Sequence, residues 1–322
     1  MKRPLAAISL LSISLFLGAC GSSEPETAAD SPSAGSQQEE TNKVSEDLSF
    51  QKESGPISFD DFELTYTEKD TGLGYTGVYV SVTNHSEFTI LFPGIEYELK
   101  PGVTKEDVQA VMPNDLKFDS YVYKTGRGVF LNSVIPYLKP SETSAEMVIA
   151  ICTIEYERPD GSSVRNCPVT QDILDLLEVK SVAVSPIVGG KKKNGMQLKP
   201  GETVLAETLE DTSSLFNEVV EGGKDLIIVP DGVSFYYTYE YYNDGYHGYG
   251  FDFFDVEETA MDKCIEDYKE KYPPRSSGIS EHFYSDSGMH MYMYYGNDRE
   301  GHELRLQYIK EQHYISGSIN DD

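Results

Sequence analysis

The chain contains no tryptophan, which weighs against a sugar-binding platform, since that residue supplies the largest flat ring. It is also poor in positive charge: 26 lysines and arginines stand against 54 aspartates and glutamates, for a formal net charge of −28. A surface of that sign repels nucleic-acid phosphates and anionic headgroups, so a DNA- or RNA-binding role is not expected. The acids are scattered, and no loop has the D-x-[DN]-x-[DN]-G spacing of a calcium hand. Neither a G-x-S-x-G elbow nor an H-E-x-x-H pair occurs. Beyond the first twenty residues no apolar run approaches the ~20 residues that span a bilayer. Cysteine is scarce, with four in 322 residues.

What is present begins at the N-terminus. Lys2 and Arg3 precede an apolar run that ends in Leu17-Gly18-Ala19-Cys20. A basic start, a short apolar core and a small-residue exit are the parts of a secretory signal. The last four residues resemble the lipobox of bacterial lipoproteins. That resemblance implies removal of residues 1–19 and a diacylglyceryl group, with fatty chains such as palmitate, on the sulfur of Cys20. Two chains hold a protein at a bilayer stably where one holds marginally. The expected location is the outer face of the bacterial cytoplasmic membrane, with a Gram-positive envelope around it. Residues 20–50 are Ser, Glu, Ala, Thr, Pro and Gln with almost nothing to bury, and read as an acidic disordered tether.

From residue 51 to about 210, short alternating segments separated by Gly, Pro and Asn predict an antiparallel β-sandwich. Thr104 is placed to cap a short helix, with Asp107 three residues on. The phrases GVYVSVTNHSEFTI (residues 77–90) and YLKPSETSAEMVIAI (residues 137–151) resemble the immunoglobulin-like (telokin-like) domains of Gram-positive lipoproteins. Ser141 stands where that pattern has Gly, and residues 101–128 form an insertion in it. The related phrase LKPGET at 198–203 reads as a recurring β-turn or a second copy of the unit. Cys152 and Cys167 flank Arg158-Pro159-Asp160-Gly161 at similar distances, so they are expected opposite or nearly opposite one another on a hairpin, as a disulfide or as two packed thiols. Lys191, Lys192 and Lys193 are the only basic cluster, either a solvated hairpin tip or a docking point for an anionic polymer.

Residues 211–322 have another texture. A helix carrying Leu215, Phe216, Val219 and Val220 and a strand from Leu226 to Val229 are expected first. A tyrosine-rich strand pair follows, then a helix from Val256 to Tyr272, on which Cys264 faces the core, and a meander of four strands. One helix on one face of an antiparallel sheet makes an α+β layer pair. The fold class is thus mainly β, a sandwich followed by an α+β domain. Gly245-Tyr246-His247-Gly248-Tyr249-Gly250 only superficially mimics a phosphate loop, because a strand follows it rather than a helix. Histidines 282, 290, 302 and 313 fall on or near neighbouring strands without a ligand spacing, so no metal, cofactor or catalytic residue is assigned.

Tyr237, Tyr239, Tyr241, Tyr292 and Tyr294 form the candidate binding face. Both alternating sets of the first tyrosine strand are aromatic, so one set must meet a second layer or solvent. The sequence therefore points to a non-enzymatic, membrane-anchored extracellular lipoprotein that binds an envelope component or an exported protein. Binding of a carbohydrate or wall polymer through exposed tyrosines is the alternative.

Overall fold

Two-residue alternation decides the first sheet. The computed structural model describes residues 48–321 except 73, 114–115, 119–128, 132–134, 159–160, 244–245, 276–280 and 287–288. Cys20, the signal and nearly all of the tether lie outside the described residues. The strand Thr76–Asn84 buries Val78, Val80 and Val82, and Ile90–Leu99 buries Ile95, Tyr97 and Leu99 on the same period. Each such side chain contributes about 1.5–3 kcal/mol, an upper figure because the unfolded chain is partly collapsed.

The backbone of this sheet runs Lys191–Lys192, Leu177–Val188, Ile90–Leu99, Val129–Leu131, Met147–Arg158, Thr76–Asn84 and Phe62–Asp70 in hydrogen-bonded order. Phe62–Asp70 and Ile90–Leu99 are four strand spacings apart, about 19 Å if the sheet were flat. Yet the Tyr97 hydroxyl donates to that of Tyr66 at 3.4 Å. The sheet must therefore fold over on itself, enclosing one core between its two halves as a sandwich does.

Turn chemistry fixes the ends of these strands. Asn84 is fully buried, and its carboxamide donates to the carbonyls of Phe88 (2.8 Å) and Leu138 (3.0 Å). Its oxygen accepts from the Ser86 amide (3.0 Å) and hydroxyl (2.7 Å). Pro140-Ser141-Glu142 and Pro200-Gly201-Glu202 make one and the same turn. In each, the glutamate amide donates to the carbonyl of Lys139 or Lys199, while the glutamate carboxylate accepts from that lysine's amide. The central residue is left-handed in both, Ser141 at φ 64° and Gly201 at φ 76°. The recurrence is thus a shared turn, and Ser141 occupies a conformation that glycine adopts without steric cost. Thr104 caps the helix Lys105–Val111 in a capping box with Asp107.

The hairpin bearing the two expected disulfide cysteines is present as Met147–Arg158 and Gly161–Pro168, but its register places Ile151 opposite Cys167 and Asn166 opposite Cys152. The Cys152 side chain lies outside the described residues. The sulfur of Cys167 is 2.9 Å from the Tyr75 hydroxyl.

The second sheet has six antiparallel strands in the order Phe235–Asn243, Tyr246–Phe254, Tyr314–Asp321, Glu303–Ile309, Met289–Asn297, Glu281–Asp286. The helix Glu258–Lys271 lies on one face. Its Met261, Cys264, Ile265 and Tyr268 form a stripe against Phe251, Phe253, Leu304, Leu306, Ile315 and Ile319. The ring of Tyr268 stacks on Phe251 at 5.3 Å, and its hydroxyl accepts from the Ile228 amide at 2.9 Å. At the helix end the backbone passes so close to Gly296 that a Cβ there would sit 2.0 Å from the Tyr272 carbonyl oxygen.

Two expected elements differ. Residues 211–220 form no helix: Asn217 is left-handed (φ 62°), and the Ser214 and Asn217 amides donate to the carbonyls of Thr238 and Tyr236. The apolar spacing at 215, 216, 219 and 220 serves an extended segment that covers a sheet edge, a tertiary demand that outweighs helix periodicity. Residues 226–229 form no strand either, since the Ile227 amide turns back to Gly223.

The face of the second sheet opposite the helix meets the first sheet. There Phe50, Leu91, Phe92, Tyr137 and Ile187 pack on Phe235, Tyr237, Phe254, Ile309 and Tyr314. Asp47–Asp322 is accordingly one compact unit. Among the described residues no helix is long and apolar enough to cross a membrane.

Candidate functional site

The register of the second sheet orders its helix-free face into rows that run across the strands. The innermost is Phe235, Phe254, Tyr314, Ile309 and Met291; the next is Tyr237, Asp252, Ser316, Gln307 and Met293. Then come Tyr239, Gly250, Ser318, Arg305 and Tyr295, and outermost Tyr241, Gly248, Asn320, Glu303 and Asn297. Apolar residues fill the innermost row, where the first sheet lies against it, and polar groups increase outward. One face thus carries a sealed half and an open half.

The sealed half contains a polar cluster. Asp252 is only 6% exposed and accepts a hydrogen bond from the Tyr314 hydroxyl, with the Tyr237 hydroxyl as a second donor. Burial pushes its carboxyl above the usual carboxylate range, against the opposing pull of Lys192. Lys192 enters from the first sheet. Its ammonium donates to the Tyr237 hydroxyl at 3.2 Å and sits 5.2–5.9 Å from the ring centres of Tyr237, Phe92 and Tyr239. Desolvation lowers its pKa, and the charge of Asp252 offsets part of that. The other two lysines of the cluster close on one acid: Lys191 and Lys193 contact Asp211 at 3.0 and 2.6 Å. The triple-lysine hairpin is not a free basic patch, because Lys192 turns into the sealed half and Lys191 and Lys193 are paired with Asp211.

On the open half, Tyr239 and Tyr241 lie across the neighbouring strand over the two glycines. A Cβ on Gly250 would come within 2.1 Å of the Tyr239 ring, and one on Gly248 within 2.8 Å of the Tyr241 ring. Glycine at these positions makes room for the hydroxyl ends of the two rings, which are tilted 43° to one another. The Tyr241 hydroxyl donates to Asn320, with Ser318 alongside. Arg305 is exposed and forms no ion pair among the described residues, whereas Glu303 is held by Arg275 at 2.5 Å.

The five tyrosines of the candidate face do not share one surface. Tyr237 is fully buried, Tyr239 and Tyr241 are half-buried on the open half, and Tyr292 and Tyr294 lie on the opposite, helix-bearing face. Tyr294 is 3% exposed and donates to the Tyr272 carbonyl at 2.8 Å, while Tyr292 stacks on Tyr308 at 4.8 Å. Residue parity separates them, and the cross-strand register that decides which parity meets which layer is not visible in a single strand. Sequence reasoning passed over Arg305, Ser318 and Asn320. The signal that would have found them is the Gly248-x-Gly250 pair facing two tyrosines two residues apart.

Other chemistry-bearing groups are accounted for locally. Cys264 is buried on its helix, and burial raises its thiol to about 12. His313 contacts the Val256 carbonyl through Nδ1 at 2.9 Å; the strand Glu303–Ile309 separates it from His302. The side chains of His282 and His290 lie outside the described residues. Asp298, Glu300 and His302 bring ligating atoms within 4.8 Å of one another. The Asp298 carboxylate already accepts from the amides of Glu300 and His302 and lies 2.6 Å from His302 Nδ1, which is the bonding of a tight turn. A shallow cavity of about 350 Å³ is lined by Pro56, Ser58, Asp61, His85, Ser86, Glu87 and Thr203, none of them on the second sheet. No protein-family model matches the chain and no curated protein matches it, so the open half of the second sheet has to be read from its own chemistry.

Proposed function

We propose that the chain is a non-enzymatic lipoprotein, anchored through Cys20 at the outer face of a bacterial cytoplasmic membrane, that binds an envelope component or an exported protein. One observation carries the binding half of this reading: the open rows of the second sheet present tyrosine rings beside hydroxyl, amide and guanidinium groups, on the same face that the first sheet seals elsewhere. Side chains of that composition, fixed on strands, make a recognition surface. The lipid half rests on the resemblance of Leu17-Gly18-Ala19-Cys20 to the lipobox and on the acidic tether that follows. The tether, about 30 residues, gives the body a reach of about 30 Å as a coil.

Both halves are testable. Wild-type chain expressed in a Gram-positive host should fractionate with membranes and carry a diacylglyceryl Cys20 by mass spectrometry, and a Cys20→Ser variant should not become lipidated. Purified residues 47–322 should co-sediment with isolated envelopes from the same host. An unmodified Cys20 thiol removes the anchor from the proposal; absence of co-sedimentation removes the binding role.

A further inference from the structure

We infer that the open half of the second sheet binds an acidic glycan of low charge density, bearing carboxylate and acetamide groups, lying across the strands. The inference rests on the envelope-binding reading and names the ligand class for the same site. The surface it uses is the pair of outer rows, from the tyrosine strand to Met289–Asn297, about 19 Å long over four strand spacings.

Charge argues for the acid. The chain has a net charge of −28, so an exposed guanidinium with no ion pair among the described residues is a local positive point on an acidic body. Arg305 is such a group, centred on the strip opposite Ser318. The only carboxylate of the two rows, Glu303, is neutralised by Arg275. The strip therefore attracts one anionic group, and the guanidinium fork fits a carboxylate in two parallel hydrogen bonds. A polyphosphate-like polymer, with a charge on every repeat, needs several cations and meets the acidic remainder of the protein. A sparsely charged chain does not.

The neutral groups argue for the sugar. Tyr241 is half-buried and leans across the strand with the hydroxyl end of its ring over Gly248, which leaves ring surface for stacking on the apolar face of a pyranose. Asn320 and Ser318, on the strand beyond Gly248 and Gly250, stand beside Tyr241 with both donors and acceptors, the pairing that hydroxyl and acetamide groups need. A peptide strand is disfavoured because it would add to a sheet edge, whereas these groups stand on a face.

The test is titration of residues 47–322 with hyaluronan tetrasaccharide, which alternates carboxylate and acetamide sugars, beside chitotetraose and poly(glycerol phosphate). Hyaluronan tetrasaccharide should bind at least about tenfold more tightly than either. Arg305→Gln, at an exposed position with no ion pair among the described residues, should remove that preference and leave the melting temperature unchanged. Tyr241→Leu should weaken both oligosaccharides together. Equal binding of chitotetraose, tighter binding of poly(glycerol phosphate), or indifference to Arg305→Gln overturns the inference. Co-sedimentation with envelopes that hyaluronan tetrasaccharide fails to compete overturns it too, while leaving the envelope-binding reading intact.

Discussion

Replacing Lys192 with methionine removes the one cation that faces buried Asp252 and keeps most of the side-chain volume. Breaking a buried charge pair costs about 3–5 kcal/mol. The lower end applies here, because the ammonium reaches the carboxylate through the Tyr237 hydroxyl rather than by direct contact. For about 275 residues the unfolding entropy is roughly 0.6 kcal/mol/K, so a loss of about 3 kcal/mol lowers Tm by about 5 °C. The pH dependence identifies the cause. Burial already raises the Asp252 pKa and Lys192 counteracts this, so the variant raises it further. An acid whose folded pKa lies above its unfolded value is most stabilising below the unfolded value, and its contribution is lost as pH rises through the folded one. The deficit of Lys192→Met should therefore be smaller near pH 4 than at pH 8. Adding Asp252→Asn, which keeps an acceptor for the tyrosine hydroxyls without the charge, should recover at least half of it. Urea titrations of the wild type, Lys192→Met, Asp252→Asn and the double variant at both pH values measure this. A deficit below about 1 kcal/mol, or one equal at the two pH values, would refute the electrostatic account.

Three further outcomes follow from the fold. Asn84→Asp deprives the Phe88 and Leu138 carbonyls of their donors and buries a charge, so it should cost about 3 kcal/mol or more in a urea titration at pH 7, a loss that shrinks under acid. Ser141→Gly relieves a left-handed serine and should raise stability by about 0.5–1 kcal/mol; Gly201→Ala in the twin turn should lower it by a similar amount, both read from thermal melts. Because the Cys264 thiol stays protonated in the folded chain to about 12, against 9.0 when unshifted, stability should fall by about 1.4 kcal/mol per pH unit from this group between those values. Cys264→Ala should remove one proton's worth of that slope. Tyr237, Tyr268 and Tyr314, all raised by burial, add to the fall above pH 10.

The parts of the fold that were legible are those set by local pattern. Alternation located the strands around Val80 and Ile95, the 3.6-residue stripe of Met261, Cys264, Ile265 and Tyr268 located the helix, and Thr104 with Asp107 located a cap. What could not be read depends on partners distant in sequence. Leu215 and Val219 have helical spacing, but the edge of Phe235–Asn243 needed covering, and that need is invisible locally. The cysteine hairpin was legible with its two cysteines nearly opposite, but the choice between exact pairing and the one-residue offset was not. Lys192 looked like a surface lysine because only the folded sheet brings Phe92, Tyr237 and Tyr239 around it. The tyrosine strand announced a site, yet Tyr292 and Tyr294 were misgrouped with it, since the register across the intervening strands puts Met291, Met293 and Tyr295 on its face and those two tyrosines on the helix-bearing one.

The strand Tyr314–Asp321 sits between Tyr246–Phe254 and Glu303–Ile309, so it joins a hairpin formed some sixty residues earlier to its own sequence neighbour. Until it arrives, each side displays an unpaired edge, and this long loop closure makes assembly slow relative to a simple zipper. During that interval the equivalent strand of another chain offers the same complement. Concentrated refolding should then yield intertwined dimers that exchange this one strand, and dilution during refolding should suppress them.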